Sequence, residues 1–230
     1  MNALLRLDGV RCRVGDQWLF DDGLSAVLNP GLVVVRGGEG RGKTSLLRVM
    51  AGRLQPETGS VLRSNGLTVV WNDPQDAQDE QLSARAWLDV QSGCHVHWNA
   101  AAARASIEAL RLQEHLDKAL FMLSTGTRRK LALVVAWASQ ADLVLLDNPL
   151  AALDARSREA LVGRLNQQIA PMSNEQNGQT AIGEHGRPEA ESARASAALR
   201  SVWVVADYEQ PEGLMSDVPG ARFGVIDLGD

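Results

Sequence analysis

Cysteine is scarce in this chain, positive charge is not in excess, and no apolar run is long. Two cysteines, Cys12 and Cys94, in 230 residues exclude a disulfide framework and fit a reducing cytoplasm. Lysine and arginine number 23 against 28 aspartates and glutamates, a net charge of -5. Nucleic-acid binding, which usually shows as a basic patch, is not expected. The longest apolar run, Leu131 to Ala138, falls far short of the roughly 20 residues that cross a bilayer. Any membrane role is therefore expected to go through a partner. The N-terminus lacks a long apolar stretch after its charges, so no signal peptide is expected. No internal repeat is visible. The rest is ordinary: 45% hydrophobic and 22% charged residues predict a single globular domain over residues 1–230 with one sizeable core.

The apolar pattern alternates between strand and helix character. Leu4 to Leu7 and Val10 to Val14 predict strands, and Asn29-Pro30-Gly31 a turn. Leu32 to Arg36 is a consecutive apolar run, the mark of a strand buried on both faces. Ser45 to Leu54 predicts a helix, and Val61-Leu62 and Leu67 to Trp71 return to strand. From Leu82 to Leu120 the chain is helical and alanine-rich, which predicts a helical subdomain over about residues 76–130. Leu131 to Ser139 predicts a helix, Leu143 to Leu146 a buried strand, Ala155 to Ile169 an amphipathic helix and Val202 to Ala206 a core strand. Residues 171–198 carry almost no large apolar side chain and several glycines, prolines and asparagines. They predict a flexible surface insertion, with helical character from Glu189 to Leu199.

The most specific motif is Gly37-Gly38-Glu39-Gly40-Arg41-Gly42-Lys43-Thr44, followed by Ser45. Placed between a strand and a helix, this pattern is a phosphate-binding P-loop. Its glycines let successive N–H groups point inward as an anion nest, and the helix adds its positive end. Lys43 is expected to reach the β- and γ-phosphates of a nucleotide. The Thr44 hydroxyl is expected to ligate Mg²⁺, a hard cation that prefers oxygen. Asp147 ends a buried strand, where its carboxylate is expected beside the loop, holding Mg²⁺ through water.

Between these motifs lies Leu123-Ser124-Thr125-Gly126-Thr127. With it, the chain resembles the ATP-binding-cassette (ABC) ATPases over nearly all its length. The resemblance implies an α/β fold: a P-loop NTPase core with a small antiparallel β subdomain and an inserted helical subdomain. It implies ATP and Mg²⁺ as ligands, a second ABC ATPase subunit as partner in a homo- or heterodimer, and an integral membrane transporter subunit. The chain would then lie in the cytoplasm, peripheral on the inner face of the cell membrane. In that family the signature Leu-Ser-Gly-Gly-Gln closes over the γ-phosphate bound to the opposing subunit; Ser124 and Gly126 match, and Thr125 and Thr127 depart. Gln75 resembles the glutamine that joins the Mg²⁺ shell. Ala151-Ala152-Leu153-Asp154 resembles the D-loop that crosses the dimer interface. Trp18 is the candidate for adenine stacking, beside its plainer reading as a core or surface tryptophan. Leu19-Phe20, Gly23-Leu24-Ser25, Leu28-Asn29-x-Gly31, Thr44 to Arg48 and Ala51-Gly52 resemble the ATPase subunit of the haem exporter of cytochrome c maturation.

Two departures fall on the chemical step. Asn148 stands where the family has its catalytic glutamate, and an amide oxygen is hardly basic at neutral pH. No histidine follows His185, so the switch histidine expected after Val202 to Ala206 is missing, with Asp207 or Glu209 in its place. An ionised carboxylate there cannot donate to a phosphate. Two functions from different classes are therefore expected of such a chain. One is a transporter ATPase subunit with weak or partner-dependent hydrolysis; the other is a non-hydrolysing regulatory or scaffolding module. Cys94-His95-Val96-His97 reads as solvated surface, because stable metal sites need three or four ligands.

Overall fold

The computed structural model describes residues 3–71, 80–170, 201–217 and 219–229. Its centre is a parallel sheet of β3 (Gly31–Arg36), β5 (Val69–Trp71), β6 (Leu143–Asp147), β7 (Val202–Ala206) and β8 (Phe223–Asp227). The strand order is β5-β6-β7-β3-β8. Consecutive apolar residues are needed because both faces are covered. In β3, Leu32 and Val34 join the cluster formed with the helices α4 (Thr125–Ala138) and α5 (Ala155–Ile169). Val33 and Val35 join the opposite cluster around α1 (Lys43–Ala51), which holds Leu46, Leu47, Val49 and Met50. The same period-two division runs through β6 and β7. Each fully buried Val or Leu here contributes about 1.5–3 kcal/mol.

An antiparallel sheet of β2 (Gln17–Leu28), β1 (Leu5–Val14) and β4 (Thr58–Arg63) covers the α1 side. The two predicted N-terminal strands are one strand, because register shifts between Leu7 and Cys12 absorb the interruption without ending the pairing. Arg63 fastens this sheet to the C-terminal end of α1. Its guanidinium donates to the Val49 carbonyl at 2.6 Å and to the Met50 carbonyl at 3.4 Å. Those carbonyls belong to the last helical turn, which lacks partners within the helix.

On the other side lie α2 (Ala84–Cys94), α3 (Ala100–Ala109) and α4. Their starts follow from capping: Ser83 accepts from Ala86 N–H and Asn99 from Ala102 N–H. Helix α4 begins at Thr125, well before the predicted Leu131, because Ser124 caps it. Helix α1 stops at Ala51, short of the predicted Leu54, because Gly52 adopts φ 78 and closes the end. Helix α5 spans the predicted residues, capped by Asp154 and buried through Leu161, Leu165 and Ile169. Gln75 and the insertion expected at 171–198 lie outside the described residues.

Candidate functional site

Three strand ends build the site. Val35 pairs with Ala206 on one side of β7, and Ala206 pairs with Asp147 on the other. The loop from Gly37 to Gly42, the Asp147 carboxylate and the residues after Ala206 therefore leave the sheet at the same rim. Ligands of open parallel sheets bind at such carboxyl ends.

The loop is shaped to admit an anion. Gly42 sits at φ 89 before α1, and no described side chain caps that helix start. Its positive end and first N–H groups stay open for an anion. A Cβ at Gly42 would come within 3.0 Å of Leu19 Cδ1 and 3.3 Å of the Phe20 ring, so those side-chain ends would have to yield, while the φ of 89 itself favours glycine. Gly37 is buried and Gly38 half-buried, while Glu39, Gly40 and Arg41 are exposed at the tip. Lys43 Nζ folds back on the loop, donating to the Gly37 carbonyl at 2.5 Å and the Gly38 carbonyl at 2.7 Å. The Thr44 hydroxyl donates to Asp147 Oδ2 at 2.6 Å. This brings together two hard oxygens from opposite motifs, a donor set suited to Mg²⁺. Ser45 follows, half-buried, in the first turn of α1.

Asn148 is half-buried at the same rim. Its N–H donates to the Ala206 carbonyl at 2.7 Å, and its φ of 45 is left-handed. Asparagine tolerates that conformation better than most residues. Asp207 N–H donates to the Val35 carbonyl at 3.0 Å. The Asp207 carboxylate is turned onto its own turn, accepting Tyr208 N–H at 2.8 Å. Burial pushes the Asp207 carboxyl up from its ordinary value; the Tyr208 N–H and the Lys43 charge oppose the shift, while nearby Asp147 adds to it. The side chain that meets the loop is the neighbour between the two expected carboxylates: the Tyr208 ring lies 4.3 Å from Lys43 Nζ. Sequence reasoning passed over it; its signal was a lone tyrosine two residues beyond a strand end.

The Leu123–Thr127 segment starts α4. Leu123 is buried, and Ser124 Oγ accepts from Thr127 N–H at 3.2 Å and lies 2.9 Å from Thr127 Oγ1. Thr125 is the exposed first residue of the helix. Gly126 is needed for space, since a Cβ there would stand 2.4 Å from the Ala152 carbonyl oxygen. Arg129 donates to the Ala151 carbonyl and Lys130 pairs with Asp154. These contacts fasten α4 to the 151–154 segment of the same chain. The Lys130 ammonium and the Ser157 N–H hold the Asp154 carboxyl well below the usual carboxylate range. Arg128 grips Glu80 through both carboxylate oxygens. Gly126→Ala is expected to lower stability by about 1–3 kcal/mol through overpacking, read as a shift of the urea midpoint with unchanged slope.

Trp18 carries the Arg11 guanidinium 4.6 Å from its ring centroid and Arg13 at 6.0 Å. Leu19 and Phe20, its neighbours on β2, are the residues that reach Gly42. Cys94 and His97 are exposed and His95 stacks on Trp98. Among the described residues, no three His, Cys, Asp or Glu side chains gather as a metal would require.

Beside the site runs a cleft of about 800 Å³ between the β5–β6 edge and helices α2 and α4. Its walls include Trp71, Trp87, Val90, Arg128 and Asp147. The buried Trp71 indole N–H finds no acceptor among the described residues. No helix of the described residues is long and apolar enough to cross a membrane.

The chain is similar to known proteins. A family model described as ABC transporter matches residues 22–151. The cytochrome c biogenesis ATP-binding export protein CcmA of Sphingopyxis alaskensis is 38% identical over 166 residues, covering 72% of this chain and 84% of that protein. The aliphatic sulfonates import ATP-binding protein SsuB 1 of Nocardia farcinica is 32% identical over 163 residues, covering 69% of this chain and 65% of that protein. A solved ABC transporter ATP-binding protein from Pyrococcus furiosus, described as putative, superposes with a TM-score of 0.64 at 16% identity, covering 97% of this chain and 96% of its own; it shares the fold. The family model spans more than half of the sequence and the relatives align over most of it: the chain belongs to the ABC transporter family.

Proposed function

We propose that this chain is the ATP-binding subunit of an ABC transporter, binding Mg-ATP between two ATPase subunits and hydrolysing it weakly or with a partner's help. The observation that carries this reading is the contrast at one rim: a formed phosphate loop linked to Asp147 through Thr44, beside Asn148 in place of a carboxylate. Lys43 would turn from the Gly37 and Gly38 carbonyls to the β- and γ-phosphates. Thr44 and Asp147, with Gln75 as a further ligand, would hold Mg²⁺. Bound Mg²⁺ supplies a Lewis acid that spreads phosphate charge. The Asn148 amide would orient water through hydrogen bonds but not accept its proton.

Leu123 to Thr127 would face the nucleotide of the second subunit, with Ser124, Gly126 and the α4 N-terminus toward the phosphate. Asp154 and its segment would lie at that interface. Pairing with a glutamate-bearing ATPase subunit is the arrangement we favour, because one composite site then retains a base. The helices over about 76–130 act as a subdomain that passes closure of the dimer to a membrane partner. The cleft of about 800 Å³ beside α2 and α4, walled by Trp71, Trp87 and Val90, supports this role as a place for a partner to dock. The chain would then act in the cytoplasm, on the inner face of the cell membrane through that partner. Likeness to the cytochrome c biogenesis export protein favours a haem-exporter type of system, with cargo selected by the membrane partner.

A non-hydrolysing regulatory or scaffolding module is the second reading, favoured by Asn148 itself. Gentle isolation of the chain from its native membranes separates the two. The transporter reading expects an integral membrane protein and a glutamate-bearing ATPase to co-purify. Recovery of soluble partners alone would contradict it.

A further inference from the structure

We infer that Asp227, at the end of β8, is a positioning residue that holds the entry of the phosphate loop in its binding shape. The inference rests on the reading of the Lys43 loop as an ATP site. Strand β3 feeds that loop and pairs in parallel with β8, with Arg36 opposite Asp227 as the last pair. The pairing continues past both strands. Leu228 N–H donates to the Arg36 carbonyl at 2.9 Å, and Gly38 N–H donates to the Gly229 carbonyl at 3.1 Å. The second of these bonds ties a residue of the loop itself to the chain leaving β8. The approach is close: a Cβ at Gly37 would stand 3.0 Å from Leu228 Cβ and 3.2 Å from the Gly229 carbonyl oxygen.

Both Asp227 carboxylate oxygens serve this junction. Oδ1 accepts the Gly229 N–H at 2.9 Å, and Oδ2 accepts from the Arg36 guanidinium at 3.1 Å. An aspartate that bonds the N–H two residues on turns its own backbone. Gly229 follows that turn at φ 78, a left-handed conformation that suits glycine, and its carbonyl then meets Gly38. The carbonyls of Gly37 and Gly38 are the ones that Lys43 Nζ contacts, so the same anchor sets where the lysine rests. The loop tip is exposed, and its exit is held by the first turn of α1, which leaves the entry to Asp227. A loop whose amides are already arranged binds an anion without first having to be ordered. The Arg36–Asp227 pair is itself open to solvent, its side chains 39% and 58% exposed, and such pairs add little to global stability. Its effect therefore falls on local geometry.

The test joins amide hydrogen exchange at Gly38, read by NMR, to equilibrium binding of Mg-ATP and Mg-ADP, on the wild-type chain, Asp227→Ala and Asp227→Asn. In Asp227→Ala the Gly38 amide is expected to exchange about tenfold faster, while amides in the middle of β3 keep their rates. Both nucleotides are expected to bind about fivefold more weakly, the scale of one lost hydrogen bond. The loss is shared because both would occupy the same loop. Asp227→Asn keeps an acceptor for the Gly229 N–H and is expected to recover most of the lost affinity. Wild-type affinity in Asp227→Ala overturns the inference, as does wild-type exchange at Gly38. Faster exchange throughout the parallel sheet, with a lower urea midpoint, also overturns it by making Asp227 a general support of the fold. A wild-type chain that binds neither nucleotide overturns the ATP reading itself, and this inference with it, whatever the exchange at Gly38.

Discussion

Asn148→Glu is expected to raise Mg-ATP turnover by the purified chain about a hundredfold, the scale of a positioned general base. The position is anchored: the residue follows Asp147, and its N–H is fixed on the Ala206 carbonyl at 2.7 Å. A carboxylate introduced there would stand at the rim that holds Lys43, Thr44 and Asp147. The substitution also carries a cost. Residue 148 sits at φ 45, a left-handed conformation that asparagine tolerates and glutamate adopts at about 1 kcal/mol. A melting temperature lower by about 2–4 °C is therefore expected alongside the faster turnover. Steady-state phosphate release and a thermal melt read the two effects on one preparation. Unchanged turnover would show that the missing carboxylate is not what limits the reaction.

Lys43→Ala is expected to weaken Mg-ATP binding about a hundredfold. The ammonium is placed to make charge-assisted hydrogen bonds to the phosphates, each contributing about 1.5–3 kcal/mol. The fold should survive, because Nζ contacts two loop carbonyls and the Tyr208 ring, while α1 buries Leu46, Leu47, Val49 and Met50. Equilibrium titration, with circular dichroism as the check on folding, measures the change. In an assembled complex the same variant separates the two readings. Turnover that falls with Lys43→Ala fits a transporter subunit, whereas assembly that fails without loss of turnover fits a scaffold.

Much of this architecture could be read from residues, for identifiable reasons. Strands β3, β6 and β7 are buried on both faces, so their apolar residues run without interruption. The α5 boundaries were legible because Asp154 is a capping residue ahead of a clear 3.6-residue period. Strand β2 was not, since Asp21, Asp22 and Gly23 break its alternation and much of it is exposed. Strand β8, Phe223–Asp227, is an edge strand with one buried residue, too little apolar pattern to stand out. At the site, the meeting of the loop with Asp147 was legible because both follow buried apolar strands that leave the sheet at one rim. Tyr208 was not, because the turn after β7 is irregular. Counting positions there drew attention to Asp207, whose carboxylate is engaged with the next N–H, and not to the ring that touches Lys43.

The account rests on separating binding from chemistry, and one single-turnover measurement addresses that separation. Purified chain in excess is mixed with trace labelled ATP and Mg²⁺, and bound nucleotide is identified over time. The account predicts that ATP binds, that binding depends on Lys43, and that the bound nucleotide is still ATP after many minutes. Rapid Mg²⁺-dependent conversion of bound ATP to ADP by the chain alone would contradict it.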